Sequence, residues 1–154
     1  MKKKIIFVIL ILIICTISLV LFIKNKDNKF YLDKEYYDNI GLSDTSIDEV
    51  EKLIENKKSF ILFTYNDFCN FSIPCDSVFE KAAKANNIKI LQIPFKNFKK
   101  SSLYKTVKYA PSLIIIHDGK IIDFLDANSD DDYNLYQKEE EVSKWFKKYI
   151  KFKE

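Results

Sequence analysis

Apolar residues recur along this chain at two different spacings, and each spacing predicts a different kind of element. Helical spacing of three and four residues occurs in 46–58, 75–87, 101–108 and 139–152. Short, continuous β-branched and aromatic runs at 60–65, 88–93 and 111–117 are typical of strands buried in a sheet. A tight turn at Asp118-Gly119 predicts a further strand at 120–125. The order α-β-α-β-α-β-β-α predicts an α/β domain with a mixed central sheet and helices on both faces.

Polar residues at the element ends predict where the helices begin and what separates them. Ser46 and Glu49 form a capping-box pattern at the start of the first helix. Ser72 is the predicted N-cap of the second helix, with Pro74 in its first turn, where a missing N–H does no harm. Residues 126–132 are predicted to be an acidic loop. The last helix has an apolar stripe formed by Val142, Trp145, Phe146, Tyr149 and Ile150.

The N-terminal 23 residues differ from the rest of the chain. Residues 5–23 carry no charge and, as a helix, would span about 28 Å, close to the thickness of a bilayer core. A cleaved signal peptide is disfavoured because no A-x-A-like site is present. A lipoprotein is disfavoured because Ile14, not a small residue, precedes Cys15. We therefore predict a transmembrane signal-anchor at 1–23, a stalk and edge element at 24–45, and a folded domain at 46–154.

Charge on the two sides of the apolar run predicts its orientation. Three lysines and the amino terminus precede the run, and Lys24, Lys26 and Lys29 follow it, so the positive-inside bias is small. The very short N-terminal tail favours a cytoplasmic N-terminus. We expect a single-pass protein of the cytoplasmic membrane whose domain lies outside the cytoplasm, where disulfides persist. The Lys-, Asn- and Ile-rich composition without Arg indicates an AT-rich bacterial genome.

The composition of the remaining chain excludes two broad classes of protein. Residues 24–154 contain 22 lysines and 22 acidic residues, so they are formally neutral, and arginine is absent. A nucleic-acid-binding protein would concentrate cations and use Arg for bidentate contacts, so no nucleic-acid partner is expected. The 47% apolar and 15% aromatic content is enough to build a core, which argues against disorder. We expect a monomeric domain.

Four features of residues 46–152 resemble the thioredoxin family. A buried strand leads to Cys69, and Pro74-Cys75 opens the next helix. Ala110-Pro111 precedes an apolar strand, as the family's cis-proline does, and Asp118-Gly119 then leads to a short strand and a terminal helix. The resemblance implies a thioredoxin-like three-layer fold. The N-terminal anchor and stalk resemble, more weakly, a bacteriocin-accessory-like branch of this family.

The two cysteines depart from the C-x-x-C pattern of that family, because Cys69 and Cys75 are separated by five residues. Counted from the strand, Cys69 occupies the position of the family's nucleophile, and three residues are inserted before Cys75. Counted from the helix, Ser72-Ile73-Pro74-Cys75 matches C-x-x-C, and Ser72 replaces the nucleophile. The sequence leaves both registers open.

The resemblance implies thiol-disulfide exchange with protein or peptide thiols and disulfides, and it implies no cofactor. Cys69 would attack and Cys75 would resolve the mixed disulfide. Pro111, if cis, would lie beside the pair, and Ala110 would present its backbone to an extended substrate. The alternative is a disulfide between Cys69 and Cys75 that only staples a loop, in a non-catalytic accessory or binding module.

The other residues of reactive types are predicted to have ordinary structural roles. His117 is the only histidine, and Cys69, Cys75 and His117 lack a fourth ligand, so no metal site is expected. The acidic residues 130–132 lack the spacing, glycine and closing glutamate of an EF-hand and are predicted to be solvated. Cys15 is predicted to be an apolar filler in the membrane segment.

Overall fold

The computed structural model describes residues 29–66 and 74–152. Within these residues the strands are β1 (Gly41–Asp44), β2 (Phe60–Tyr65), β3 (Lys89–Pro94), β4 (Ser112–His117) and β5 (Lys120–Phe124). The α-helices are α1 (Ile47–Glu55), α2 (Cys75–Ala85), α3 (Phe95–Phe98) and α4 (Glu139–Tyr149). Short 3₁₀ helices occupy Lys34–Tyr36, Ser102–Lys105 and Asp130–Tyr136.

The strands form one mixed sheet in the order β1-β3-β2-β4-β5. β3 pairs in parallel with both β1 and β2, whereas β4 pairs antiparallel with β2 and with β5. The connections β1-α1-β2 and β2-α2-β3 move in opposite directions across the sheet. Because such crossovers are right-handed, α1 and α2 lie on opposite faces. α4 packs beside α2, which completes the predicted arrangement of a mixed sheet between two helical layers.

The core is centred on the two apolar strands that the sequence places in the middle of the sheet. Phe60 to Phe63 in β2 and Leu113 to Ile116 in β4 are at most 1% exposed. Phe79 of α2 meets Phe63 edge-on, with ring centroids 5.0 Å apart. Continuous burial of both strand faces is the reason that these runs lack an alternating polar pattern.

The predicted helix and turn signals are present. Ser46 is the N-cap of α1, and its hydroxyl accepts a hydrogen bond from the Glu49 N–H at 3.2 Å. Asp118 and Gly119 have φ values of 50° and 72°, as the tight turn between β4 and β5 requires. The Gly119 N–H also donates to the carbonyl of Lys58 at 3.0 Å, which fastens the turn to the chain entering β2.

Helix α2 begins later than the sequence predicts. Pro74, not Ser72, is the N-cap, with φ −57° and ψ 120°, and Cys75 is the first helical residue. The Pro74 carbonyl accepts from Ser77 N–H at 3.1 Å and from Val78 N–H at 3.4 Å, and the second of these is the first intrahelical hydrogen bond of α2. The proline ring constrains φ and leaves ψ free, so Pro74 can precede the first turn instead of joining it. Ser72 lies outside the described residues.

Several other elements differ from the predictions. Helix α3 was not predicted, and the helix predicted at 101–108 is only the 3₁₀ turn Ser102–Lys105. The predicted acidic loop at 126–132 runs into the 3₁₀ helix Asp130–Tyr136. Helix α4 ends at Tyr149 instead of reaching residue 152, because the next residue, Ile150, adopts extended backbone and bridges to Phe30.

The segment before β1 packs against the domain from residue 30 onward. The Phe30 N–H donates to Tyr149 O at 2.9 Å, and the Lys151 N–H donates to Phe30 O at 2.7 Å. Leu32 and Tyr36 are each 3% exposed. In their described part, residues 24–45 therefore pack against the domain, and β1 is an edge strand of the sheet. None of the helices in 29–66 and 74–152 has the length and apolar character needed to cross a bilayer. The predicted signal-anchor at 1–23 lies outside these ranges.

Candidate functional site

A cavity of about 380 Å³ opens where β2 ends and α2 begins. β2 and β3 run in parallel and both end at this edge of the sheet, the position at which α/β folds characteristically bind ligands. The residues that line it come from β2, β3 and the start of α2, and they are Phe63, Tyr65, Asn66, Pro74, Cys75, Asp76 and Gln92.

Cys75 contributes the sulfur atom among the side chains that line this cavity. It is the first residue of α2 and only 3% exposed. The first turn of a helix leaves N–H groups without intrahelical partners, and their partial positive charge stabilises a nearby thiolate. A sulfur that is both buried and next to these groups suits a second, resolving thiol better than a freely accessible attacking thiol.

The Ala110–Pro111 segment lies at the same end of the sheet, and the peptide bond between the two residues is cis. The Asn66 side-chain amide donates to the Ala110 carbonyl at 3.4 Å, which joins this segment to the wall of the cavity. The Tyr136 hydroxyl donates to the Pro111 carbonyl at 2.7 Å, and the Tyr136 ring lies 5.9 Å from that of Phe79 in α2. The fold thus brings Cys75, Ala110 and Pro111 to one end of the sheet.

Two of the predicted site residues, Cys69 and Ser72, lie outside the described residues. The meeting of Cys69 with Cys75 therefore stays a prediction, as does the choice between the strand register and the helix register. Cys15 also lies outside the described ranges.

The structure adds polar residues that the sequence analysis did not select. Asn66 follows directly on β2, and its contact with Ala110 spans 44 positions, so no local pattern reveals it. Gln92 interrupts the apolar run of β3 and donates to the Asp44 carboxylate at 2.8 Å. That interruption was the available signal. Asp76 lines the cavity from the first turn of α2, where its carboxylate accepts from Ser77 N–H at 2.8 Å.

His117 and the acidic residues 130–132, the other candidates from the sequence, make structural contacts within the fold. His117 lies at the opposite end of the sheet from Cys75, stacked on Phe30 with ring centroids 4.0 Å apart and with Nδ1 2.9 Å from the Ser59 hydroxyl. The Asp132 carboxylate accepts from Asp126 N–H at 2.8 Å and closes a turn. Across residues 29–66 and 74–152, no three His, Cys, Asp or Glu side chains gather closely enough to hold a metal ion.

Comparison with known proteins finds similarity in structure only. No family model and no curated protein matches the sequence. A mutant thioredoxin from Halobacterium salinarum NRC-1 matches with a TM-score of 0.54 and 15% identity, over 74% of this chain and 95% of that chain. The J-Trx1 fragment of ERdj5 matches with a TM-score of 0.50 and 15% identity, over 68% of this chain and 49% of that chain. At such low identity these matches define the fold alone.

Proposed function

We propose, from the thioredoxin-like fold of this chain, that it exchanges thiols and disulfides through Cys69 and Cys75 in a membrane-anchored domain outside the cytoplasm. The observation that carries the proposal is the position of Cys75. Its side chain is buried at the start of α2, in a cavity at the carboxyl end of the central strand β2. The solved structures of similar fold include a thioredoxin, which is consistent with redox chemistry at this place.

The proposed reaction runs in two balanced steps. The Cys69 thiolate attacks one sulfur of a substrate disulfide, and the other substrate sulfur leaves as a thiolate that takes up a proton. The Cys75 thiolate then attacks the Cys69 sulfur of this mixed disulfide and releases the second substrate thiol. The substrate gains two electrons, and Cys69 and Cys75 become a disulfide. The same steps in reverse would oxidise a dithiol substrate.

We further propose that the Ala110–Pro111 segment holds the substrate. The Ala110 carbonyl is directed to Asn66 at the cavity wall, so an extended peptide passing here would lie close to Cys75. The Pro111 carbonyl is occupied by Tyr136, which fixes the segment from behind. Such pre-positioning lowers the entropy lost when a flexible peptide binds.

The proposed anchor is the apolar run of residues 5–23, with the N-terminus in the cytoplasm. Six residues separate this run from Phe30, where the chain joins the fold. Fully extended, they would hold Phe30 within about 25 Å of the bilayer. Protease added to intact cells should remove the domain, and full protection of the domain would mean that the orientation is reversed.

A second candidate function is a non-catalytic accessory or binding module, of the bacteriocin-accessory-like kind, in which Cys69 and Cys75 form a structural disulfide. The 3% exposure of Cys75 favours it, because a buried sulfur in a staple is protected from exchange. The five-residue spacing, which differs from C-x-x-C, favours it as well.

A redox titration separates the two functions. The full-length protein in non-ionic detergent would be equilibrated with thiol-disulfide buffers and its thiols counted by alkylation. Exchange predicts a potential between about −120 and −270 mV, whereas a structural disulfide predicts one below about −300 mV.

Single substitutions provide the matched controls for this titration. Cys75→Ser should trap a mixed disulfide on Cys69 that resolves slowly, and Cys69→Ser should abolish reduction of a cystine peptide. Cys15→Ser should change neither result. Unchanged peptide reduction in Cys69→Ser would exclude the proposed exchange.

A further inference from the structure

Charge is unevenly distributed along residues 24–154, which are formally neutral overall. Residues 81–117 contain eight lysines and no acidic residue. Five of these lysines belong to residues 95–109, the segment between β3 and Ala110, which we call the basic lobe. All five are exposed, and they are Lys96, Lys99, Lys100, Lys105 and Lys108. The basic lobe therefore carries a local charge of +5.

Both ends of the basic lobe meet the candidate site. The lobe begins directly after Pro94, which is the ladder partner of Tyr65. It ends directly before Ala110, whose carbonyl accepts from Asn66. Tyr65 and Asn66 both line the cavity that contains Cys75. A molecule held by the lobe would thus be close to the proposed exchange site.

Aromatic rings of the basic lobe contact two of its lysines. The Lys99 ammonium lies 5.0 Å from the ring centroid of Phe95, and the Lys108 ammonium lies 4.4 Å from that of Tyr104. The two rings meet edge-on, 6.1 Å apart. None of the five lobe lysines pairs with a carboxylate in the part of the chain that the structure describes. Their charge is therefore available to an anionic partner.

Among the described residues, Glu51, Asp76 and Asp123 place carboxylates beside the basic lobe or the cavity, and hydrogen bonds engage all three. Glu51 of α1 accepts from the Ser102 N–H at 2.8 Å and from its hydroxyl at 3.2 Å. Asp76 on the α2 side of the cavity accepts from Ser77 N–H. They reduce the attraction for anions without cancelling it. Tyr109, next to Ala110 and 54% exposed, adds an aromatic surface for a peptide side chain.

The position of the basic lobe favours a polypeptide over a lipid as its partner. Phe30, where the chain from the apolar run joins the domain, stacks on His117 at the end of β4. Because β4 runs antiparallel to β2, this end of the sheet is opposite to Tyr65 and the cavity. If residues 5–23 form the membrane anchor proposed above, attachment at Phe30 would favour an orientation in which the basic lobe faces away from the bilayer, where a polypeptide is accessible and lipid headgroups are not.

We propose that the basic lobe recruits acidic polypeptides, so that the preferred substrate carries Asp or Glu residues beside its reactive disulfide. The inference rests on the proposed exchange function and names the substrate class of the same site. Charge complementarity of this kind raises association rates at low ionic strength, by about 10-fold to 1,000-fold, and is screened by salt.

The test compares two synthetic cystine peptides of equal length, one with glutamates and one with lysines beside the disulfide. The full-length reduced protein in non-ionic detergent should react about tenfold faster with the acidic peptide at low salt. The difference should vanish at about 1 M salt, where the Debye length is about 3 Å. The variant Lys99→Gln/Lys105→Gln/Lys108→Gln should lose the preference, whereas Lys81→Gln/Lys147→Gln/Lys148→Gln, with the same change in charge, should keep it.

A binding measurement keeps this inference separate from the exchange reaction. Fluorescence anisotropy of a cysteine-free acidic peptide reports docking without thiol chemistry. One outcome is that the acidic peptide binds the unaltered protein but not the lobe variant, while no cystine peptide is reduced. This outcome would support recruitment by the basic lobe and refute the exchange function. Equal rates and equal binding for both peptides would refute the acidic preference and leave the exchange function standing. Uptake of soluble short-chain phosphatidylglycerol in place of the acidic peptide would also refute it.

Discussion

Asp123 shows how one side chain can join a strand to a helix. Its Oδ2 accepts hydrogen bonds from Trp145 Nε1 and from the Tyr149 hydroxyl, both at 2.7 Å. Its Oδ1 accepts from the Phe124 N–H at 2.9 Å. Asp123 belongs to the edge strand β5, and its two side-chain partners belong to α4. This one carboxylate therefore fastens the terminal helix to the edge of the sheet.

Asp123→Asn should destabilise the domain by about 2 kcal/mol, because the amide oxygen is a weaker acceptor than a carboxylate and its NH₂ group faces donors. Urea unfolding at neutral pH, followed by circular dichroism, measures the loss. The pKa of Tyr149 should also fall toward its ordinary value, as seen in a phenol absorbance titration. Asp131→Asn, at an exposed position, is the control and should change stability by less than about 0.5 kcal/mol. Equal stability of the two variants would contradict the role of Asp123.

The sequence identified residues that could take part in chemistry more successfully than it predicted which residues contact each other. Cys75, Ala110 and Pro111 were identified from their neighbours in the sequence, and the fold brings them to one end of the sheet. The contact of Asn66 with Ala110 was not predictable, because the two residues are 44 positions apart. Trp145 was predicted to be in the core, and it is 4% exposed, but its hydrogen bond to Asp123 appears only in the folded chain.

The β4-β5 hairpin illustrates how an element depends on its surroundings. Gly119 has φ +72°, and a Cβ atom at this position would collide with the backbone carbonyl of Ile54 in α1. The glycine is needed both for the turn and for the close approach of α1.

Gly119→Ala should cost at least about 2 kcal/mol, since the left-handed conformation alone costs an L-residue about 1–2 kcal/mol and the collision adds to it. The measurement is the urea midpoint at constant m-value. The neighbouring Asp118→Asn keeps a residue that tolerates φ 50° and should be nearly neutral. If Gly119→Ala lowered the free energy of unfolding by less than about 0.5 kcal/mol, this would show that α1 can move away from the added methyl group at little cost.

At the element scale, predictions succeeded where the signal is local. The capping serine, the hairpin turn and the apolar runs of β2 and β4 depend on neighbouring residues only. Helix α3 was missed because four residues after a proline are too short to show helical periodicity. The end of α4 was misplaced because Phe30, 120 positions away, pairs with Ile150 and draws it out of the helix.

Buried and half-buried tyrosines limit the stability of the whole domain at high pH. Burial, followed by the hydrogen bond to Asp123, raises the pKa of Tyr149 to about 12. Burial, followed by the charge of Glu35, raises the pKa of Tyr36, and burial also raises the pKa of Tyr37. The folded state thus holds these protons more tightly than the unfolded state, whose tyrosines ionise near pH 10.

The contribution of these tyrosines to stability should therefore be constant below about pH 10 and should fall as the pH rises toward about 12, because the unfolded state releases its phenolic protons first. Urea midpoints measured across this range give the slope. Tyr149→Phe should make the slope shallower, whereas Tyr133→Phe, at an exposed position, should not. A urea midpoint that stays the same between about pH 9 and pH 11, the range around the ordinary pKa of tyrosine, would contradict the prediction.

Local patterns in the chain predict the kinds of element, most of their order and the residue types available for chemistry. Periodicity, capping and turn conformation are properties of neighbouring residues, so they can be recognised before folding. Three other features become visible only in the folded chain: Phe30 closes the far end of the sheet, Asn66 meets Ala110, and the basic lobe borders the cavity of Cys75. Each is a contact between distant segments, and each forms because the sheet order brings its two segments to the same end of the sheet.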